Sequence, residues 1–190
     1  KDPDVEQTSE NPDSPVNSDR EAAEETATGL SESVPVPVDV VLKGWLDYAT
    51  TTILPLADPR KQAEELGKFV ASCYGGPVDK ATLSASYHEL NLAEIKCSIE
   101  SNVIPLGRIK KGSQFHRGLL FKFLADHIGL PTNLVRGNYG RTYNELLLRS
   151  TTNAPKPTMI PYVVDLMLSP GMLMDPSSSE AKEYVSILSQ

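Results

Sequence analysis

Cysteine, histidine and long apolar runs are what this sequence holds least of. Two cysteines and three histidines among 190 residues are too few for a disulfide framework or a four-ligand zinc site. His88, His116 and His127 are too scattered to suggest a catalytic metal. The expectation is a chain without metal or cofactor, at home in a reducing, intracellular compartment. No run of about 18 apolar residues is present, so membrane insertion is not expected. The first residues are acidic and polar, unlike a signal or transit peptide. The chain opens on Lys1 without an initiator Met, which reads as a piece of a larger protein. No internal repeat is visible.

Charge divides the chain. Residues 1–33 hold ten Asp or Glu against two Lys or Arg, with almost no large apolar residue. Such a segment cannot bury enough surface to offset its chain entropy, so a disordered acidic tail is expected over 1–33. Residues 34–38, Val-Pro-Val-Pro-Val, read as an extended linker, because proline cannot donate to a ladder. Residues 39–190 read as one domain; about 70% burial of its unfolded surface would give a core without staples.

From Val40 the pattern is helical until Pro55. A second helix follows Pro59, with Ala63, Leu66, Phe69, Val70 and Cys73 on one face and Gly75-Gly76 as a stop. Between Tyr87 and Ile99 the alternation of Ile95, Cys97 and Ile99 favours a strand, and Val103 to Ile109 reads as a short extended piece. Gly112-Ser113 opens a helix that runs to about Ile128 and closes at Gly129-Leu130-Pro131. Its apolar residues cover more than half the circumference, which places it at the domain centre. Gln114, Gly118, Lys122, Ala125 and Asp126 form its narrow polar or small strip. Strands are expected over 133–136, 142–149 and 162–168, then a turn at Pro170-Gly171 and a helix over 180–188. Helices first, one central helix, then antiparallel strands make an α+β plan.

The central helix, the Gly-Leu-Pro after it and Thr142-Tyr143-Asn144-Glu145 on the second strand resemble the transglutaminase-like branch of the papain-type fold. That resemblance implies a Cys at the helix tip, a His opening the strand and an Asp on the next one. A helix N-terminus and an imidazole lower a thiol pKa, and the carboxylate orients the ring. Here those positions fall on Gln114, Arg141 and Asp165. Gln114 offers no nucleophile, and Arg141 stays protonated and cannot act as a base. The expectation is therefore a degenerate triad and no enzyme, with Arg141 donating to the Asp165 carboxylate and Gln114 nearby.

Ile104-Pro105-Leu106-Gly107, the stretch from Gly112 to Asp126 and Leu134-Val135-Arg136-Gly137 carry the resemblance further. So do Tyr139-Gly140-Arg141 and Pro170-Gly171-Met172-Leu173. Together they resemble the regulatory domain of plant Raf-like kinases of the ethylene-response and disease-resistance type, which also closes an animal armadillo-repeat protein. Gly118 stands where that subfamily usually has Ala, and Tyr143 where Trp is usual. The resemblance implies an interaction or regulatory module of a scaffold protein. Its partners would be proteins, its own armadillo repeats among them, and its setting the cytoplasm, with ciliated or flagellated and male germ cells as the context.

Two other readings stand beside this one. Cys97 as a relocated nucleophile would make a cysteine hydrolase or transglutaminase-type enzyme; its alternation places it instead on a buried strand face. The segment 103–149 holds eight basic and two acidic residues, a candidate patch for RNA or acidic partners. The plainer reading gives Arg117, Lys122 and Arg141 internal partners and leaves Arg108, Lys110 and Lys111 as the candidate interaction surface, with nucleic acid the less favoured partner. His116, at the helix start, reads as a cap rather than a base.

Overall fold

The computed structural model describes residues 38–86, 90, 92–149 and 158–188. The acidic tail and all of the Val/Pro linker except Val38 lie outside the described residues. Among the described residues, helices α1 (Val40–Tyr48), α2 (Pro59–Cys73), α3 (Leu83–Ser86) and α4 (Leu92–Ile99) precede the central helix α5 (Gln114–His127). Strands β1 (Thr132–Arg136), β2 (Thr142–Arg149), β3 (Met159–Val164) and β4 (Leu173–Met174) follow, and α6 (Ser179–Ile187) comes last. The strands form one antiparallel sheet in the order β1-β2-β3-β4. This is the expected α+β architecture, with a central helix packed on an antiparallel sheet.

Local chemistry sets the helix ends. Asp39 caps α1, accepting from the Leu42 N–H at 2.9 Å, and Asp58 caps α2, where Pro59 supplies a preset first turn. Beyond Tyr48, α1 continues as a π-helical turn, Ala49–Ile53. After α5, Gly129 takes φ +75° and the Leu130 N–H reaches back to the Ala125 carbonyl at 2.9 Å, a left-handed stop of the glycine type.

The sheet separates two cores. Paired residues share a face, so the register Asn144↔Val164 and Leu146↔Tyr162 sends Leu146 and Val164 toward α5 and α2. There they join Leu66, Val70, Leu120, Phe121 and Leu124. The opposite face carries Val163, Tyr143 and Met174 against Leu83 and the Ala181, Tyr184 and Leu188 side of α6. Each large side chain enclosed this way contributes roughly 1.5–3 kcal/mol, which is why α5, buried between α2 and the sheet, is the organising element.

Three expectations need correction. The 92–99 segment is a helix, and Cys97 on it is exposed rather than on a buried strand face. Leu92, Ile95 and Ile99, at helical spacing, are its half-buried residues. The 103–109 stretch is not extended throughout: it contains a 3-10 turn, Leu106–Arg108. The third strand lies over Met159–Val164 rather than 162–168, because the chain turns at Asp165. On the strip of α5, Gln114, Gly118 and Ala125 are buried, and Gly118 lets β1 and β2 approach closely, with Leu134, Asn144 and Thr142 atoms 3.1–3.3 Å from where a Cβ would stand.

Candidate functional site

The first turn of α5 holds Gln114, the first of the three positions to which the resemblance points. Gln114 is its first residue and is 7% exposed. Its Nε2 donates to the Gly140 carbonyl at 3.5 Å, a long contact, while its Oε1 is buried without a hydrogen-bond partner. Gly140 ends a 3-10 turn, Asn138–Gly140, and Arg141 follows it directly. The Thr142 hydroxyl donates to the same Gly140 carbonyl at 3.3 Å. An amide thus stands at the helix tip, packed against the turn that leads into β2. It provides neither a nucleophile nor a base.

Asp165 is 3% exposed, and its carboxylate is committed to its own loop. Oδ1 accepts from the Met167 and Leu168 N–H groups at 2.7 and 2.8 Å, and Oδ2 from the Ser169 N–H at 2.8 Å. The Tyr184 hydroxyl on α6 accepts the Leu166 N–H of the same loop at 3.0 Å. The β2–β3 ladder ends at Asn144–Val164. One residue later the chain turns, with Asp165 pairing toward Met172 and Gly171. Arg141, half-buried, lies along Gly137, where a methyl would meet its Cβ and Cδ at 3.5 Å.

His116 behaves as a cap, as the sequence suggested. Its Nδ1 accepts the Ser113 N–H at 3.2 Å and lies 3.0 Å from the Ser113 hydroxyl. Burial lowers its pKa from 6.5, so the neutral ring that this bond requires is also the favoured form. Of the two thiols, Cys73 is half-buried and burial pushes its pKa up to about 11, which leaves it a poor nucleophile.

Of the basic residues in 103–149, Arg117 and Lys122 have internal partners. Arg117 is 1% exposed and donates to three carbonyls: Nε to Gly112 at 2.9 Å, Nη1 to Leu166 at 2.8 Å and Nη2 to Tyr74 at 3.1 Å. It ties together the end of α2, the loop before α5 and the turn after β3. Lys122 pairs with Asp126 one turn along α5, and the Arg136 guanidinium sits 4.9 Å from the centre of the Phe115 ring. Arg108, Lys110 and Lys111 remain exposed. Asp39 sets their approach, for its second oxygen accepts the Gly107 N–H at 2.8 Å and fixes the 106–108 turn to the start of α1.

Sequence reasoning did not single out Asp39, Tyr74 or Asn144. Asn144 is fully buried and donates from Nδ2 to the Gly118 carbonyl at 3.2 Å, with Oδ1 unpartnered. Its place on the inward alternation Thr142, Asn144, Leu146 was the signal available. Among the described residues no group of three or more His, Cys, Asp or Glu could hold a metal. No helix there is long and apolar enough to cross a membrane.

Comparison with known proteins follows the same residues. The chain is 43% identical over 154 residues to human armadillo repeat-containing protein 3, an alignment spanning 78% of this chain and 17% of that protein. It is 33% identical over 111 residues to the probable serine/threonine-protein kinase SIS8 of Arabidopsis thaliana, spanning 58% of this chain and 10% of the kinase. The chain therefore corresponds to under a fifth of either relative's length. No solved structure matches it. The family model described as "EDR1/CTR1/ARMC3, peptidase-like" matches residues 18–174, and the chain belongs to that peptidase-like family.

Proposed function

We propose that this domain is a catalytically inactive, transglutaminase-like member of the peptidase-like family, and that it serves a larger armadillo-repeat scaffold as a protein-interaction or regulatory module. The observation that carries the reading is the state of the three triad positions. Gln114 has an amide at the helix tip, Arg141 is a permanent cation, and the Asp165 carboxylate accepts three amides of its own loop. Acyl transfer through a thiolate needs a nucleophile and a base within hydrogen-bond reach of each other, and these positions supply neither. The exposed Arg108, Lys110 and Lys111 are the surface we assign to the partner. The setting carried over with the resemblance, the cytoplasm of ciliated and male germ cells, belongs to the same proposal.

The exposure of Cys97 keeps the cysteine-enzyme reading testable. Purified chain is offered peptide amide, glutamine-donor and amine-acceptor substrates, beside Cys97→Ser and Gln114→Cys/Arg141→His variants. No turnover by the wild-type chain is expected. Turnover that disappears in Cys97→Ser would replace this proposal with the enzyme reading.

A further inference from the structure

We propose that the outer edge of β1 pairs antiparallel with β1 of a second copy of this chain, joining the two four-stranded sheets edge to edge. The sheet has two edges, and they differ. β4 spans only Leu173–Met174, and a strand that short offers little to pair with. β1 spans Thr132–Arg136 and holds no proline. The bonds beyond its two ends fix its parity: the Leu147 N–H donates to the Pro131 carbonyl at 2.8 Å, and the Gly137 N–H to the Arg141 carbonyl at 2.9 Å. In an antiparallel pair such bonded positions alternate with non-bonded ones. In the register Asn133↔Glu145 and Val135↔Tyr143, the backbone groups of Asn133 and Val135 therefore meet β2, and those of Thr132, Leu134 and Arg136 point away from it. Among the described residues, none of these three outward N–H groups donates to a backbone carbonyl.

The strand is complementary to itself. A two-fold pairing centred on Leu134 sets Leu134 against Leu134 of the partner subunit, and Thr132 against Arg136 of the partner subunit. All three pairs are of the bonded kind, about six hydrogen bonds, and every outward group of the strand is used. On the face toward α5 the half-buried Leu134 side chains meet each other. On the opposite face Asn133 stands against Val135, so no charge faces a like charge. The two Arg136 side chains lie at opposite ends of the pairing, about 13 Å apart along the strand, beyond the screening length of about 8 Å at physiological salt. Such a contact closes at two copies. An unrelated strand would meet the same backbone groups with nothing to fix its register.

Sedimentation equilibrium of the purified chain from about 5 to 500 μM tests the pairing, with a monomer–dimer equilibrium expected inside that range. Hydrogen exchange resolved by NMR reads it residue by residue. The Thr132, Leu134 and Arg136 amides should slow as the dimer fills, whereas the Asn133 and Val135 amides stay protected at both ends of the range. Asn133 is exposed and Val135 half-buried, so both accept charged replacements. Asn133→Lys with Val135→Lys sets lysine against lysine in the close, non-bonded pair and should weaken the dimer about tenfold or more. Asn133→Lys with Val135→Glu sets opposite charges there and should restore it. A chain that stays monomeric throughout the range overturns the proposal. So does a dimer indifferent to both double variants, or protection that rises with concentration elsewhere while the three outward amides stay fast. If a double variant fails to fold, the exchange pattern of the wild-type chain decides alone.

Discussion

Replacing Arg117 by methionine tests the account of the core most directly. The side chain is 1% exposed, and its guanidinium spans three carbonyls, those of Gly112, Leu166 and Tyr74, at 2.8–3.1 Å. These oxygens lie in a loop, in a turn and at a helix C-cap, outside any helix or strand ladder. Methionine fills a similar volume, so little cavity is created, but three hydrogen bonds to a charged donor are lost. At about 1.5–3 kcal/mol each the gross loss is roughly 4.5–9 kcal/mol. Against it stands relief from burying a cation, which is several kcal/mol. The carbonyl side wins by about 3–4 kcal/mol, since three buried oxygens lose their donor at once and only one charge is released. A lysine at the same position would keep the charge but could not span the three directions, so Arg117→Lys should fall between wild type and Arg117→Met. Urea unfolding reads this through Trp45, the chain's one tryptophan, which packs edge-on against Tyr74 at 5.7 Å. A destabilisation under about 1 kcal/mol for Arg117→Met would refute the reasoning, because the clamp would then contribute no more than an ordinary single hydrogen bond.

Three further outcomes are expected. His116→Gln gives a Ser-x-x-Gln capping box; it should hold stability near neutral pH and flatten the acid side. The sign follows from the lowered His116 pKa. Its contribution is present above 6.5 and lost as pH falls through the folded value, so unfolding midpoints of the wild type should fall as pH is taken below 6.5 and those of the variant less so. Gly171→Ala puts a methyl 2.3 Å from the Glu64 carbonyl oxygen at φ +89°. Overpacking and backbone strain together should cost about 3–4 kcal/mol in chemical unfolding, and an unchanged midpoint would contradict the close approach of α2 to this turn. Under native conditions a thiol reagent should label Cys97 quickly and Cys73 slowly, since one is exposed and the other has its pKa pushed up to about 11; mass spectrometry of the modified peptides distinguishes them.

The elements that sequence made legible are those whose local chemistry and long-range packing agree. α5 carries its own punctuation, Ser113 before it and Gly129 after, and its apolar arc faces neighbours on more than one side. β2 was readable at both ends because Thr142, Asn144 and Leu146 alternate inward while Tyr143 and Glu145 do not. α4 was misread because Cys97 was counted as apolar: with Ile95 and Ile99 it mimics a period of two, whereas Leu92, Ile95 and Ile99 alone give the helical spacing. The apolar run Val163-Val164-Asp165-Leu166-Met167 hid the end of β3 in a similar way. Leu166 and Met167 are 3% and 0% exposed although they have left the sheet. Burial there comes from a turn held by a carboxylate, which no strand periodicity can announce.

That carboxylate also changes what the site's surviving residue means. Of the three positions the resemblance points to, only Asp165 keeps the residue type that chemistry would require, and it is tempting to read it as a remnant of function. Its partners argue for a different cause. Three backbone N–H groups converge on it, and each would be left without its acceptor if the carboxylate were removed. Folding alone is enough to require an acid there, whether or not a nucleophile stands at the helix tip. Gln114 shows the contrast, for its amide makes one long contact to Gly140 and leaves Oε1 unpartnered. The retained acid therefore carries no weight as evidence for activity. The proposal of inactivity therefore stands on the amide at the tip of α5 and the cation just before β2, and the turnover assay with the Gln114→Cys/Arg141→His variant is its test.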